Sequence, residues 1–174
     1  MARNIEIKAW LPSIAAIEPR TAQLADSGPE LIVQDDTFFA CPNGRLKLRE
    51  FSRQAGELIF YRRADDTGPK ASFYVRSPTA HPASLREALT LAHGQVGRVR
   101  KQRTLYLIGR TRVHLDRVEG LGEYLELEVV LRDGEPAEQG MQEAEHLMQQ
   151  LGMEPGWLVA GAYVDLLKAS AEAA

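Results

Sequence analysis

Apolar and charged residues alternate with period two in eight separate stretches of this chain, each bounded by Gly, Pro or Asp. Residues two apart in a strand point to the same side, so every such stretch has one apolar side and one charged side. The stretches are Asn4–Trp10, Leu31–Phe39, Gly44–Phe51, Glu57–Arg63, Lys70–Arg76, Val96–Ile108, Thr111–Val118 and Tyr124–Leu131. Pro42-Asn43-Gly44, Asp65–Pro69 and Glu119–Gly122 supply turn residues between them. Helices are fewer. One is expected after Pro82, with Ser84 as N-cap, Glu87 closing a capping box and Gly94 ending it. A second is expected over about Pro136–Gly152, a shorter one near Ser13–Ala25 that Pro19 limits, and another at the C-terminus. Eight strands joined mostly by short turns predict an α+β domain, a large antiparallel sheet or closed barrel with helices outside. At 174 residues, one domain over 1–174 is expected.

The paired faces sort their charges by strand. Arg45, Lys47 and Arg49 share a face opposite Leu46 and Leu48, and Lys101 pairs with Arg103. Arg112, His114 and Asp116 share another face, Glu126 and Glu128 a third, and Glu6 joins Lys8 opposite Ile5 and Ile7. Residues 45–117 hold 16 of the 21 Lys and Arg but 6 of the 24 Asp and Glu, inside a chain whose net charge is −3. Like charges about 6.6 Å apart repel by about 2.5 kcal/mol at an effective dielectric near 20. A bound polyanion relieves that repulsion. The pattern predicts a sheet curled around an enclosed polar channel, with basic strands on an anion and carboxylates on a hard cation such as Mg²⁺ or Mn²⁺.

Composition narrows the function classes. With 44% hydrophobic and 26% charged residues the chain is not disordered, and no apolar run approaches the ~18 residues of a membrane helix. Met1–Asn4 leads straight into the first alternating stretch without a signal-peptide core, so a cytoplasmic chain is expected. The single Cys41 excludes an internal disulfide. An overall acidic chain whose basic faces lack interleaved aromatics argues against a nucleic-acid partner. There is no P-loop, no Gly-x-Gly-x-x-Gly, no Gly-x-Ser-x-Gly and no His-Glu-x-x-His. Tyr61 and Tyr106 can touch a ring or pack in a core, and His114 can contact a ligand or pack.

Several motifs stand in a characteristic order: Asn4-Ile-Glu6-Ile-Lys8, Asp36-Thr-Phe-Phe39, Gly44-Arg-Leu-Lys-Leu-Arg49, Leu58–Arg63, Gly68-Pro-Lys70-Ala-Ser72, Val99-Arg-Lys101-Gln-Arg103, His114–Gly122 and Glu126-Leu-Glu128. Together they resemble the CYTH superfamily of triphosphate tunnel metalloenzymes, which includes class IV adenylate cyclases and thiamine triphosphatases, and lean toward its cyclase-like branch. The resemblance implies a closed eight-stranded antiparallel tunnel binding a triphosphate-bearing small molecule. It implies metal ligands at Glu6, Asp116, Glu126 and Glu128, phosphate contacts at Lys8, Lys47, Arg49, Arg63, Lys101 and Arg103, and lesser contacts at Arg45, Lys70, Arg76 and Arg112. Lys8 and Glu6 are the catalytic candidates, and Arg63 rather than Arg62 is expected inside. Three positions depart from the pattern: Asn4 stands for a Glu, Phe38 for a Tyr and Phe73 for an Asp.

The expected activity is metal-dependent phosphohydrolysis. The alternatives are a class IV adenylate cyclase and a polyphosphate- or nucleotide-binding module that has lost chemistry through Asn4 and Phe38. A homodimer is compatible with the sequence. Charge reversal at Lys101 or Arg103 is expected to abolish activity without unfolding, and Leu46→Asp to unfold the chain.

Overall fold

The structure is a computed structural model that describes residues 2–174. All eight expected strands form: β1 (Ala2–Leu11), β2 (Ser27–Phe39), β3 (Arg45–Ser52), β4 (Ala55–Arg63), β5 (Lys70–Thr79), β6 (Gln95–Ile108), β7 (Thr111–Val118) and β8 (Gly122–Val130). They close into an antiparallel barrel in the order β1-β5-β4-β3-β2-β6-β7-β8, with β8 pairing back onto β1. The open-sheet alternative is thereby excluded, and none of the described strands keeps a free edge. One turn that carries no Pro or Asn signal, between β6 and β7, uses Gly109 at φ +55° as its first central residue, the position where a type II′ hairpin wants glycine.

The barrel is inverted relative to a small barrel filled with apolar side chains. The apolar sides of β1, β7 and β8 point outward, where Ile5, Ile7, Val113, Leu115, Leu125 and Leu127 are fully buried. Helices α1 (Ile14–Leu24) and α3 (Ala137–Gln150) cover them with Ile14, Ile17, Ala144 and Leu147. Helix α2 (Pro82–His93) packs on β2, β3 and β4. A short 3₁₀ turn (Pro155–Trp157) leads into α4 (Tyr163–Glu172). Strand–helix packing buries most of the apolar side chains, so the barrel interior carries the charged faces together with a few apolar residues, Phe38, Ile59, Tyr61 and Val99.

Three local expectations change. Helix α2 begins two residues before Ser84, at Pro82, whose missing N–H costs nothing at a first helical position; the Ser84 hydroxyl donates to the His81 carbonyl at 3.2 Å. Pro19 lies inside α1 rather than limiting it. Burial of Ile14 and Ile17 and a 2.5 Å bond from the Ile14 N–H to Glu123 hold that helix despite the lost backbone bond. Leu48 is fully buried, but Leu46 is only half-buried at the barrel rim, so water can reach a charge placed there and Leu46→Asp loses its expected unfolding effect.

Gly140 shows how closely α3 approaches the barrel. A Cβ at this position would stand 2.6 Å from both Ile5 Cγ1 and Leu131 Cδ2. Gly140→Leu should therefore lower stability by about 2–3 kcal/mol. That corresponds to a fall of about 4–12 °C in Tm by calorimetry, with the tunnel's ligand binding unchanged.

Candidate functional site

The inward faces of the strands enclose a tunnel of about 340 Å³ whose wall carries eight cationic side chains and five carboxylates. On one flank, β3 contributes Lys47 and Arg49, β6 contributes Lys101 and Arg103, and β4 and β5 contribute Arg63 and Arg76. On the other, β1 brings Glu6 and Lys8, β7 brings Arg112 and His114, and β8 brings Glu126 and Glu128. Strand parity places them there: alternate residues share a side, and the register sets Glu6 opposite Glu128 and Lys8 opposite Glu126.

The cationic flank is organised around Asp36, which is 1% exposed. Its carboxylate accepts bonds from Lys47 Nζ at 3.0 Å and from Arg49 Nε and Nη2 at 2.8 Å each, with Lys101 Nζ 3.9 Å away. Burial alone would raise the Asp36 pKa, but Arg49, Lys47 and Lys101 outweigh it and hold the carboxyl well below its usual range. Burial, with Arg49 adding to it, lowers Lys47, and burial with Arg103 lowers Lys101 well below an ordinary lysine. Burial brings Lys8 down to about 8, against the pull of Glu126.

On the acidic flank Glu6 accepts a 2.6 Å bond from Arg63, but Glu126 and Glu128 have only longer cation contacts, Glu128 with Arg112 at 3.4 Å. Glu126 has Lys8 and Arg103 nitrogens at 3.6 and 3.5 Å, too far for strong hydrogen bonds. Burial and the nearby Glu6 charge raise the Glu128 pKa. Burial, then Arg103, lowers the His114 pKa well below the ordinary range and keeps the imidazole neutral. His114, Glu126 and Glu128 each offer a ligand atom within 4.8 Å of the others'. Asn4 Oδ1 and His114 Nδ1 are buried without a hydrogen-bond partner. Crowded carboxylates beside unpartnered acceptors fit a divalent cation, which would supply the missing positive charge.

The C-terminal segment closes on these residues. The Gly161 carbonyl accepts bonds from Lys8 Nζ at 3.1 Å and Arg63 Nη2 at 3.0 Å. The Tyr163 ring lies 4.0 Å from Lys8 Nζ, and its hydroxyl donates to Asp116 Oδ2 at 2.8 Å. Arg45 turns out to the rim, where Asp165 accepts two bonds from it at 3.0 and 2.6 Å. A wider cavity of about 680 Å³ opens over that rim and shares Phe38, Tyr61 and Arg63 with the tunnel.

Of the residues singled out in the sequence, Glu6, Lys8, Lys47, Arg49, Arg63, Arg76, Lys101, Arg103, Arg112, Glu126 and Glu128 face the tunnel, and Arg62 is exposed outside it. Asp116 shares the inward side with His114 but is covered by Arg103 and Tyr163. Both its oxygens are occupied by Arg103, at 2.7 Å each, and Oδ2 also by Tyr163, so it positions Arg103 and could reach an ion only by releasing that clamp. Lys70 is buried and donates to the Asp66 carbonyl. Phe73 points outward against Phe60, so it leaves the tunnel's chemistry untouched, whereas Phe38 does line the wall. Tyr106 packs in the outer core and bonds Glu18. Asp36 carries no assigned role in the sequence, although its parity with Gln34 and Phe38 marks it as inward-facing, opposite Arg49. Tyr163 and the Gly161 carbonyl carry no such mark.

The CYTH domain family model matches residues 2–163. The adenylate cyclase CyaB of Aeromonas hydrophila is 25% identical over 181 residues, 96% of this chain and 90% of that protein. Among solved structures, PH1012 from Pyrococcus horikoshii OT3 superposes with a TM-score of 0.84 at 21% identity, over 94% of this chain and 99% of that one. HpAC1 from Hippeastrum, for which a dominant triphosphatase activity is described, superposes with a TM-score of 0.67 at 19% identity and 95% coverage of both chains.

Proposed function

Because this chain belongs to the CYTH domain family, we propose that it is a divalent-metal-dependent phosphohydrolase acting on a triphosphate held along its tunnel. The observation that carries this reading is the sorting of charge inside the barrel. Eight cations on the wall, against its five carboxylates and the Asp116 carboxylate buried behind Arg103, leave an excess of two positive charges in a closed space. A triphosphate with one divalent cation carries a net charge of about −2 to −3, which that excess balances. A single phosphate group would leave the far cations unpaired.

Glu6, Glu126 and Glu128 would hold the cation, Mg²⁺ or Mn²⁺, which on binding would polarise phosphoryl oxygens and orient water for in-line attack. The chain's own side chains do the rest. Lys47, Arg49, Lys101 and Arg103 align the non-bridging oxygens, and Asp36 holds the first three in a fixed array before substrate arrives. Arg63 is positioned by a 2.6 Å bond to Glu6 and by Gly161. Lys8, with a pKa near 8, carries a proton that it can share with charge developing on the leaving oxygens.

Hydrolysis is preferred to cyclisation because the wall's cations suit a chain of phosphates, which inorganic triphosphate supplies without a nucleoside. Adenylate cyclisation is kept as the second reading by the likeness to CyaB. Incubating the protein with inorganic triphosphate and with labelled ATP, each with Mg²⁺ or Mn²⁺, separates the two. Orthophosphate release from inorganic triphosphate is the expected result. Cyclic AMP with pyrophosphate would establish the second reading, and tight binding without turnover would make the protein a polyanion-binding module. In that last case Asn4→Glu with Phe38→Tyr should restore turnover.

A further inference from the structure

The acidic flank contains a nitrogen donor that the carboxylate set does not need. His114 is 4% exposed, and its Nδ1 has no hydrogen-bond partner. That atom stands 3.8 Å from Glu128 Oε1, and the ligand atoms of His114, Glu126 and Glu128 lie within 4.8 Å of one another. Two donors on opposite sides of one ion, bonded at about 2.0–2.2 Å, are separated by about 4–4.4 Å, so closing these groups on a cation takes a shift of a few tenths of an ångström. Two adjacent strands fix the geometry. His114 pairs with Glu126 across the β7–β8 register, and Glu128 lies two residues further along β8 on the same face. Two nearby positions offer an ion no free anionic oxygen: Asn4 brings an amide, and Asp116 is occupied by Arg103 and Tyr163.

We propose that His114 Nδ1 is a direct ligand of the tunnel's divalent cation, forming with Glu126 and Glu128 a mixed nitrogen–oxygen site that selects first-row transition ions over Mg²⁺. Mg²⁺ demands an oxygen shell and dehydrates reluctantly, whereas an imidazole nitrogen gains affinity along the series from Mn²⁺ upward. The amide at Asn4 reinforces this preference, because fewer formal charges weaken the hard ion's electrostatic hold more than the nitrogen's bond. The inference rests on the metal-dependent reading of the tunnel and assigns which metal that tunnel takes.

Mn²⁺ bound to the wild-type protein tests it by pulsed electron paramagnetic resonance, and Mg²⁺ competition gives the preference. The expected result is modulation from a directly bonded ¹⁴N in the wild type, absent in His114→Gln, with the Mn²⁺-over-Mg²⁺ preference falling about tenfold or more in the variant. Bound Mn²⁺ without nitrogen coupling in the wild type would overturn the assignment while leaving the metal-dependent reading standing. Coupling or preference retained in His114→Gln would overturn it as well. No Mn²⁺ binding by the wild type, with or without inorganic triphosphate, would defeat both this inference and the reading beneath it. The wild-type spectrum decides the question even where the variant does not fold.

Discussion

Asp36→Asn should cost the free protein about 3–5 kcal/mol, and inorganic triphosphate should return much of that loss. The carboxylate is buried and holds Lys47 and Arg49 within 3.0 Å, with Lys101 close by. Removing its charge leaves three cations facing one another in a low-dielectric interior. Lys47 and Lys101, already lowered by burial, can each shed a proton, but Arg49 cannot, so part of the cost is inescapable. For a chain of this length the fall in Tm is about 6–20 °C. A polyanion supplies the missing negative charge, so the Tm gain on adding triphosphate should be larger in the variant than in the wild type. The acid limb follows the same pair. The Asp36 pKa is lower folded than its ordinary 3.8, so its stabilisation is complete above about 3.8 and is lost as pH falls through the folded value. Asp36→Asn should lack that acid-dependent loss. A variant as stable as the wild type, with an equal triphosphate response, would show that the cationic flank needs no internal counter-charge.

The second large effect lies on the opposite flank. Replacing Glu126 and Glu128 together by glutamine keeps their shape while removing two charges from the tunnel. Divalent-metal-dependent turnover should fall by about a thousandfold or more, the loss of about 4 kcal/mol of transition-state stabilisation. Glu128→Gln relieves the repulsion from Glu6, whereas Glu126→Gln removes a charge that Lys8, Arg103 and Lys101 hold ionised, so the double variant should lose some stability while keeping the closed barrel. Metal-free binding of triphosphate should become tighter, since the cationic excess of the wall rises. Opposite changes in turnover and in metal-free affinity, read by product analysis and calorimetry, distinguish lost metal ligands from a collapsed tunnel. Unchanged turnover would remove these carboxylates from the site.

Charge reversal needs the same distinction. The sequence presents Lys101 and Arg103 as equivalent tunnel cations whose reversal abolishes activity without unfolding. Arg103, however, is clamped to fully buried Asp116 and neighbours Glu126, so a carboxylate there would face two others away from water. Loss of fold accompanies loss of function at that position, and methionine is the more informative replacement.

The candidate site was legible where strand parity governs it. Glu6 with Lys8, Lys47 with Arg49, Lys101 with Arg103 and Glu126 with Glu128 each sit two apart, and a period of two leaves no choice of side once the apolar neighbours are buried. Parity says nothing about what meets across the barrel. Asp36 counts in the sequence as one acid at the edge of a basic region, and only closure makes it the hub of three cations. Asp116 shares a face with His114, yet Arg103 and Tyr163 cover it while the histidine joins the carboxylates. Tyr163 begins a helix more than thirty residues beyond the last strand, too far for any local pattern to announce its contact with β7.

The amino-acid order alone determined the number of strands, the inward or outward sense of each side chain and the segregation of bases from acids, because these follow from local backbone geometry and from the need to bury apolar faces. Tertiary structure decided that the sheet closes, which charges neutralise one another inside it, and which polar atoms are left without a partner. Those outcomes depend on distances between residues far apart in the chain, and buried electrostatics is set by such distances and by the exclusion of water, neither of which a linear pattern contains.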